Sequence, residues 1–184
     1  NSQVPVLQLD DGSVHGQANA ILRYVGKLAG LYPDEYQLRI ESALETIADI
    51  HKSLIPLWYS HTIGRSPSDG QFLPGTELTP EQQAATLAAV EGVILPARLS
   101  QLNRMVMVGG MTGPFICGEL PSIADISLCV LVKGLEMGTL CDGLHLHLSD
   151  AHGAGAGADL YPNINKMIEK LQDLPGMAAY TWSR

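Results

Sequence analysis

Residues 4–28, VPVLQLDDGSVHGQANAILRYVGKL, decide how the chain reads. The run VPVLQL at 4–9 is short and rich in β-formers, and Asp10-Asp11-Gly12 carries turn chemistry. Ser13-Val14-His15 then returns, which reads as a β-hairpin. Gly16 closes it. A helix follows from Gln17 to about Leu28, with Ala20, Ile21, Tyr24, Val25 and Leu28 at three- and four-residue steps. Gly30 and Pro33 stop that helix. Two strands alone are marginal in water, so a strand–strand–helix unit with an open sheet edge reads as half of a domain.

From Asp34 onward the pattern is helical. Tyr36, Ile40, Ala43, Leu44, Ile47, Ile50, Leu54 and Leu57 mark one face of a long helix, with a kink or end expected at Pro56. Residues 62–78 are polar and rich in Gly and Pro, as a loop is. Thr79 can cap the next helix, Pro80 suits its first position, and Gln82 completes a capping box. That helix carries Leu87, Val90, Ile94, Leu99, Leu102 and Val106, bends at Pro96 and stops at Gly109-Gly110. A further helix begins at Ser122, residues 141–160 are irregular, and 161–174 is a last amphipathic helix. The fold class is α+β: a strand-containing unit over 1–31, then an all-α domain over 34–184.

Composition excludes several functions. The chain has 184 residues, of which 46% are apolar and 16% charged, so it carries a substantial core. A net charge of −8 argues against a phosphate backbone or an anionic lipid surface as partner. No apolar run approaches the roughly eighteen residues of a membrane span. Cys117, Cys129 and Cys141 are widely spaced with no CxxC, and read as reduced, mostly buried thiols of an intracellular protein. His145, His147, Asp150 and His152 lie close together, but their spacing matches no common zinc signature. A histidine-rich loop is the preferred reading there, and no metal is expected. The Gly-Ala run at 153–157 lacks the Lys-Ser/Thr ending of a phosphate loop and reads as a connector.

Four segments in order resemble the cytosolic glutathione transferases: Gln3-Val4-Pro5-Val6-Leu7, Gln17-Ala18-Asn19-Ala20-Ile21-Leu22-Arg23-Tyr24, Ser122-Ile123-Ala124-Asp125-Ile126, and Tyr161-Pro162-Asn163 followed by Leu174-Pro175. Among classes the sequence looks nearest the tyrosine-using sigma, mu and pi types. The resemblance implies a thioredoxin-like domain followed by an all-helical domain, a cytoplasmic homodimer, and glutathione as co-substrate for an electrophilic small molecule in detoxification. In that family a strand–helix–strand unit precedes this hairpin and bears the residue that activates glutathione. The expectation is therefore that this unit is absent here, that no catalytic residue lies within 1–184, and that the chain alone is inactive.

Site residues are carried over position by position. Base frequencies favour a trans Val4–Pro5 bond, since X–Pro is cis in only about 5–6% of folded cases. The resemblance implies cis, with the Val4 backbone pairing with the cysteinyl backbone of glutathione like an added strand, and Gln3 reaching its glycyl end. Gln17 and Ala18 stand at a helix N-terminus, where free N–H groups and the dipole favour an anion. By resemblance that anion is the γ-glutamyl carboxylate, although the family's serine is here Ala18. Asp49 would reach across the dimer to the glutathione amino group. Ser122 and Asp125 form a structural capping box, with Leu120 or Pro121 stapled onto Ile126. Trp58, Tyr59 and Met105 or Met107 are candidates for one wall of an electrophile pocket, although such side chains on helices are more often core. The same fold also serves as a non-catalytic assembly module, as in elongation factor 1 gamma, and Ala18 favours that alternative.

Overall fold

The computed structural model describes residues 4–62, 78–109, 112–140, 144 and 160–178. The chain opens on the expected hairpin, β1 (Leu7–Gln8) paired antiparallel with β2 (Val14–His15) in the register Leu7↔His15 and Gln8↔Val14. Both strands are shorter than the β-rich runs in the sequence. The turn is closed by Leu9 N–H to Ser13 C=O and Gly12 N–H to Leu9 C=O, both 2.9 Å. Gly12 has φ +83°, and Asp11 Oδ1 accepts from the Ser13 amide (2.8 Å) and hydroxyl (2.6 Å). Those two bonds hold the Asp11 carboxyl below its ordinary range.

Helix α1 (Ala18–Leu28) follows directly, then a 3₁₀ turn (Asp34–Tyr36) and the long α2 (Gln37–Thr62). The apolar stripe of α2 is as the periodicity predicts: Ile40, Ala43, Leu44, Ile47, Ile50, Leu54 and Leu57 are all buried. Pro56 does not end this helix, which continues to Thr62. One missing N–H late in a well-packed helix is outweighed by the burial of Leu54 and Leu57 on either side.

Helix α3 (Pro80–Ala89) starts on the expected capping box, with Thr79 N–H to Gln82 Oε1 at 2.9 Å and Gln82 N–H to Thr79 Oγ1 at 3.3 Å. It passes through a π turn (Val90–Ile94) into α4 (Leu95–Gly109). That π turn lies immediately before Pro96, the position where a bend is expected, and its wider i→i+5 spacing is compatible with the proline ring. Helices α5 (Ile123–Glu136), α6 (Pro162–Gln172) and α7 (Pro175–Ala178) complete the helical part. The core lies where α2, α4, α5 and α6 meet, around Leu95, Leu99, Leu102, Leu128, Leu131, Leu135 and Ile164. Tyr161 supplies no side-chain cap to α6. Asn103 Oδ1 on α4 does so instead, accepting from Asn163 N–H (3.0 Å) and Ile164 N–H (3.2 Å).

The Ser122–Asp125 box is fully buried. Asp125 Oδ2 accepts from the Ser122 amide (2.8 Å) and hydroxyl (2.7 Å), and Asp125 Oδ1 accepts from the Ile116 amide (2.9 Å). Ser122 Oγ also accepts from Ala124 N–H at 3.2 Å. The bond to Ile116 has no local signal in the sequence, and through it the turn 112–118 is fastened to α5. Leu120 is 71% exposed, so it is not a staple on Ile126. Cys117 and Cys129 are free and buried as expected, and burial pushes the Cys117 thiol up to about 11. Cys141 and the histidine cluster 145–152 lie outside the described residues. Among the described residues no group of His, Cys, Asp or Glu could hold a metal, and no helix is long and apolar enough to cross a membrane.

Candidate functional site

The Val4–Pro5 bond is cis, and Val4 is 88% exposed at the entry to the hairpin. Gln3 lies outside the described residues. From β2 the chain turns through Gly16 into Gln17, which has φ 72° and ψ 102°. A non-glycine residue held there costs on the order of 1–3 kcal/mol, and such residues gather at ligand clamps. Gln17 is the N-cap of α1, and its own side chain makes no capping bond. Its C=O accepts from the amides of Ala20 and Ile21, both at 3.0 Å, which leaves the amides of Ala18 and Asn19 at the exposed helix start. The arrangement is a hairpin edge and a bare helix N-terminus side by side, one suited to an extended peptide backbone and the other to a carboxylate.

The packing of α1 differs from the periodic reading. Tyr24, Val25 and Leu28, the apolar stripe seen in the sequence, are 44%, 47% and 72% exposed. The face that packs on the helical domain carries Leu22, Arg23 and Gly26 instead. Gly26 is what allows the approach, since a Cβ there would sit 2.5 Å from Ile123 Cγ2. Ile123 N–H also donates to Leu31 C=O at 3.0 Å. Ala20, Ile21 and Tyr24 line a cavity of about 200 Å³ with Leu7, Leu9 and His15 of the hairpin.

Arg23 is the polar half of this joint, and nothing local in the sequence marks its role. Its Nε donates to Glu41 Oε1 (2.8 Å), and one terminal nitrogen bonds Glu41 Oε2 (2.5 Å) and pairs with Glu45 (3.3 Å). Tyr32 Oη donates to the same Glu41 carboxylate at 2.5 Å. The guanidinium holds the Glu41 carboxyl below its ordinary value of 4.5, whereas burial pushes the Tyr32 hydroxyl up. A depressed carboxylate contributes stability above its unfolded pKa and loses it as pH falls through the folded one. The stability difference between this chain and an Arg23→Gln variant is therefore expected to be fully present at pH 6. It should shrink steadily below about pH 4.5. Thermal unfolding of both proteins between pH 6 and pH 3 measures it, and a gap independent of pH would remove Glu41 from the account.

Asp49 is 41% exposed on α2, but it is engaged within the chain by Arg98 (3.1 Å) and Lys52 (3.7 Å). Met105 and Trp58 do not share a wall. Met105 borders a cavity whose α2 residues end at Ser42, and Trp58 lies sixteen positions further on, about 24 Å along the helix. Met107 is 52% exposed outside that cavity, and the Tyr59 side chain is not among those described.

Comparison with known proteins bears on the family and the fold. The sequence family described as glutathione S-transferase, C-terminal domain, matches residues 71–184. No curated protein matches the sequence. Prostaglandin synthase D of Nilaparvata lugens is similar in structure over 97% of this chain and 72% of its own, at 20% identity and a TM-score of 0.68. A glutathione transferase from Methylococcus capsulatus is similar over 96% and 71%, at 25% identity and a TM-score of 0.63. A sphingomonad glutathione S-transferase complexed with glutathione is similar over 96% and 71%, at 24% identity and a TM-score of 0.56. The hairpin with α1 matches their thioredoxin-like part, and α2 to α7 their all-α domain.

Proposed function

The chain belongs to the glutathione S-transferase family, and from that premise we propose that it takes part in conjugating glutathione to an electrophilic small molecule. The observation that carries this reading is the strained, exposed start of α1 beside the hairpin edge. Val4 and Pro5 offer their backbone to the cysteinyl portion of glutathione, and Gln3 is the residue proposed for its glycyl end. Gln17 and Ala18 offer the helix N-terminus to its γ-glutamyl carboxylate. In the reaction the glutathione thiolate attacks an electrophilic carbon, a C–S bond forms, and the leaving group departs with its electron pair. This chain's share is to bind and orient, holding the sulfur beside the second substrate. No residue of 1–184 is assigned the proton-accepting or thiol-activating role, and the sigma, mu or pi character and a cytoplasmic setting belong to the same proposal. So does the homodimer, in which Asp49 would exchange Arg98 and Lys52 for the ammonium of glutathione in the partner's site.

Titration calorimetry with glutathione tests the clamp. Ala18→Ser adds a hydroxyl beside the carboxylate, and a hydrogen bond to a charged group is worth about 1.5–3 kcal/mol. Glutathione should therefore bind the variant about tenfold or more tightly than the parent. No heat from either protein would end the proposal. Ala18 also supports a second reading, a non-catalytic assembly module of the same fold. Glutathione binding with turnover of a chloronitrobenzene by the full-length protein favours the enzyme; stable incorporation into a larger complex without turnover favours the module.

A further inference from the structure

Helix α3 joins α4 through a junction that interrupts the helical hydrogen-bond ladder twice. In the π turn Leu95 N–H donates to Val90 C=O, five residues back. One position on, Pro96 has no N–H to give. Gly92 sits in the middle of the turn, where a Cβ would meet nothing within 4 Å, so no packing stiffens the backbone there. Glu91, Gly92 and Val93 are all exposed. Helix cooperativity passes along the ladder, and this is where it is broken.

The two sides of that junction differ in burial. On α4, Leu95, Leu99 and Leu102 are fully buried, and buried Val90 pins the turn itself. No residue of α3 is buried. Leu87, with Leu78 just before the helix, is only partly buried against the core. The side-chain bonds of α3 stay within it: the Thr79–Gln82 box, and Thr86 Oγ1 to Gln82 C=O at 2.8 Å. Among the described residues no ion pair ties α3 to another element. Its position explains this. Helix α4 runs antiparallel to α2, with Arg98 paired to Asp49 and with Met105 and Val108 beside Leu38 and Ser42. Carried on residue for residue, that register sets Val90 opposite Leu57 and leaves residues 80–84 beyond Thr62, the last residue of α2. Half of α3 overhangs the helix it packs on.

We propose that α3 is a hinged strap, a unit that opens and recloses over the last turns of α2 while α2, α4, α5 and α6 stay folded. The π turn is its hinge, and the Thr79 capping box is the latch that favours the closed helix. A helix of this length is marginal in water once off its support, so opening and loss of its internal hydrogen bonds go together. Opening ends at Val90, and it gives up only the partial burial of Leu78 and Leu87, far less than global unfolding does. Open, the strap uncovers the stretch of α2 that carries Trp58. None of these residues belongs to the glutathione clamp.

Native-state hydrogen exchange of the full chain tests it. Amides at 84–89 donate to carbonyls inside α3, and should exchange as one group, about a hundredfold or more faster than those at 99–106 in α4. Thr79→Ala removes the cap and should raise the rate at 84–89 about fivefold, and Thr79→Ser, which keeps a hydroxyl there, should return the parent rate. Ile164→Val is the complementary variant, because Ile164 is fully buried on α6 and touches only the global transition. It should raise exchange at 99–106 about fivefold and leave 84–89 unchanged. Equal rates in the two helices, or an Ile164→Val effect shared by both, overturn the proposal, since α3 then opens only when the whole chain unfolds. A gradient of rates falling smoothly from 84 to 89 is fraying from the helix end and overturns it as well. So does a Thr79→Ala rate equal to that of the parent.

Discussion

Asp125→Ala is expected to be the most destabilising single substitution at a polar position in this chain. The carboxylate is fully buried and accepts three hydrogen bonds, from the Ile116 amide and from the Ser122 amide and hydroxyl. Alanine leaves those donors facing apolar surroundings. Each orphaned buried donor costs about 1–3 kcal/mol, and the Ser122 hydroxyl alone can turn to another acceptor. The loss should therefore be about 3–5 kcal/mol, or on the order of 10 °C in the unfolding midpoint for a chain of this size. Asp125→Asn keeps one acceptor oxygen for Ile116 but places an NH₂ against the Ser122 amide, and should lie between the parent and the alanine variant. Thermal and urea unfolding of the three proteins rank them. Equal stability of Ala and parent would show that the box does not hold the turn to α5. Glutathione binding should be unchanged in whatever fraction remains folded, since no atom of the box belongs to the clamp.

Gly113→Ala should be nearly as severe, for a steric reason. A Cβ at Gly113 would overlap the backbone carbonyl of Gly118 and the nitrogen of Glu119. Neither is a flexible side-chain end that can swing away. Those atoms are fixed by the reciprocal bonds Phe115 N–H to Gly118 C=O and Gly118 N–H to Phe115 C=O, both 3.0 Å. Relief therefore requires the turn to open, which also moves Ile116 from Asp125. A cost of about 3 kcal/mol is expected, at the upper end of overpacking effects. Gly92→Ala is the matched control, because a Cβ there meets nothing within 4 Å and the same substitution should be nearly silent.

The fold was legible wherever the signal is local. Thr79-Pro80-x-Gln82 and Ser122-x-x-Asp125 announce helix starts because caps act over three residues, and the stripe from Ile40 to Leu57 is read directly from its period. What was not legible depends on what packs where. The stripe of α1 is regular, yet its Tyr24, Val25 and Leu28 are exposed, and periodicity cannot say which face of a helix receives a partner. Gly26 carries no signal of its own in the sequence and is the contact itself, visible only once Ile123 lies against it. At the candidate site, Gln17 and Ala18 could be named from resemblance, but the positive φ of Gln17 is set by the chain's path from β2 into α1.

The joint between α1 and the helical domain has a mechanical corollary. Its fastenings, Leu22 on the core, Arg23 to Glu41, Gly26 on Ile123 and Leu31 to Ile123, run from the middle of α1 to just beyond its end. Gln17 stands nine positions before Gly26, about 14 Å along the axis, with the hairpin carried beyond. The helix is thus a cantilever clamped at one end, and its free end is the one that presents backbone to a ligand. A small angular play at the clamp becomes its largest displacement at Gln17, so stiffness at Gly26 and Arg23 sets how sharply the far end is aimed.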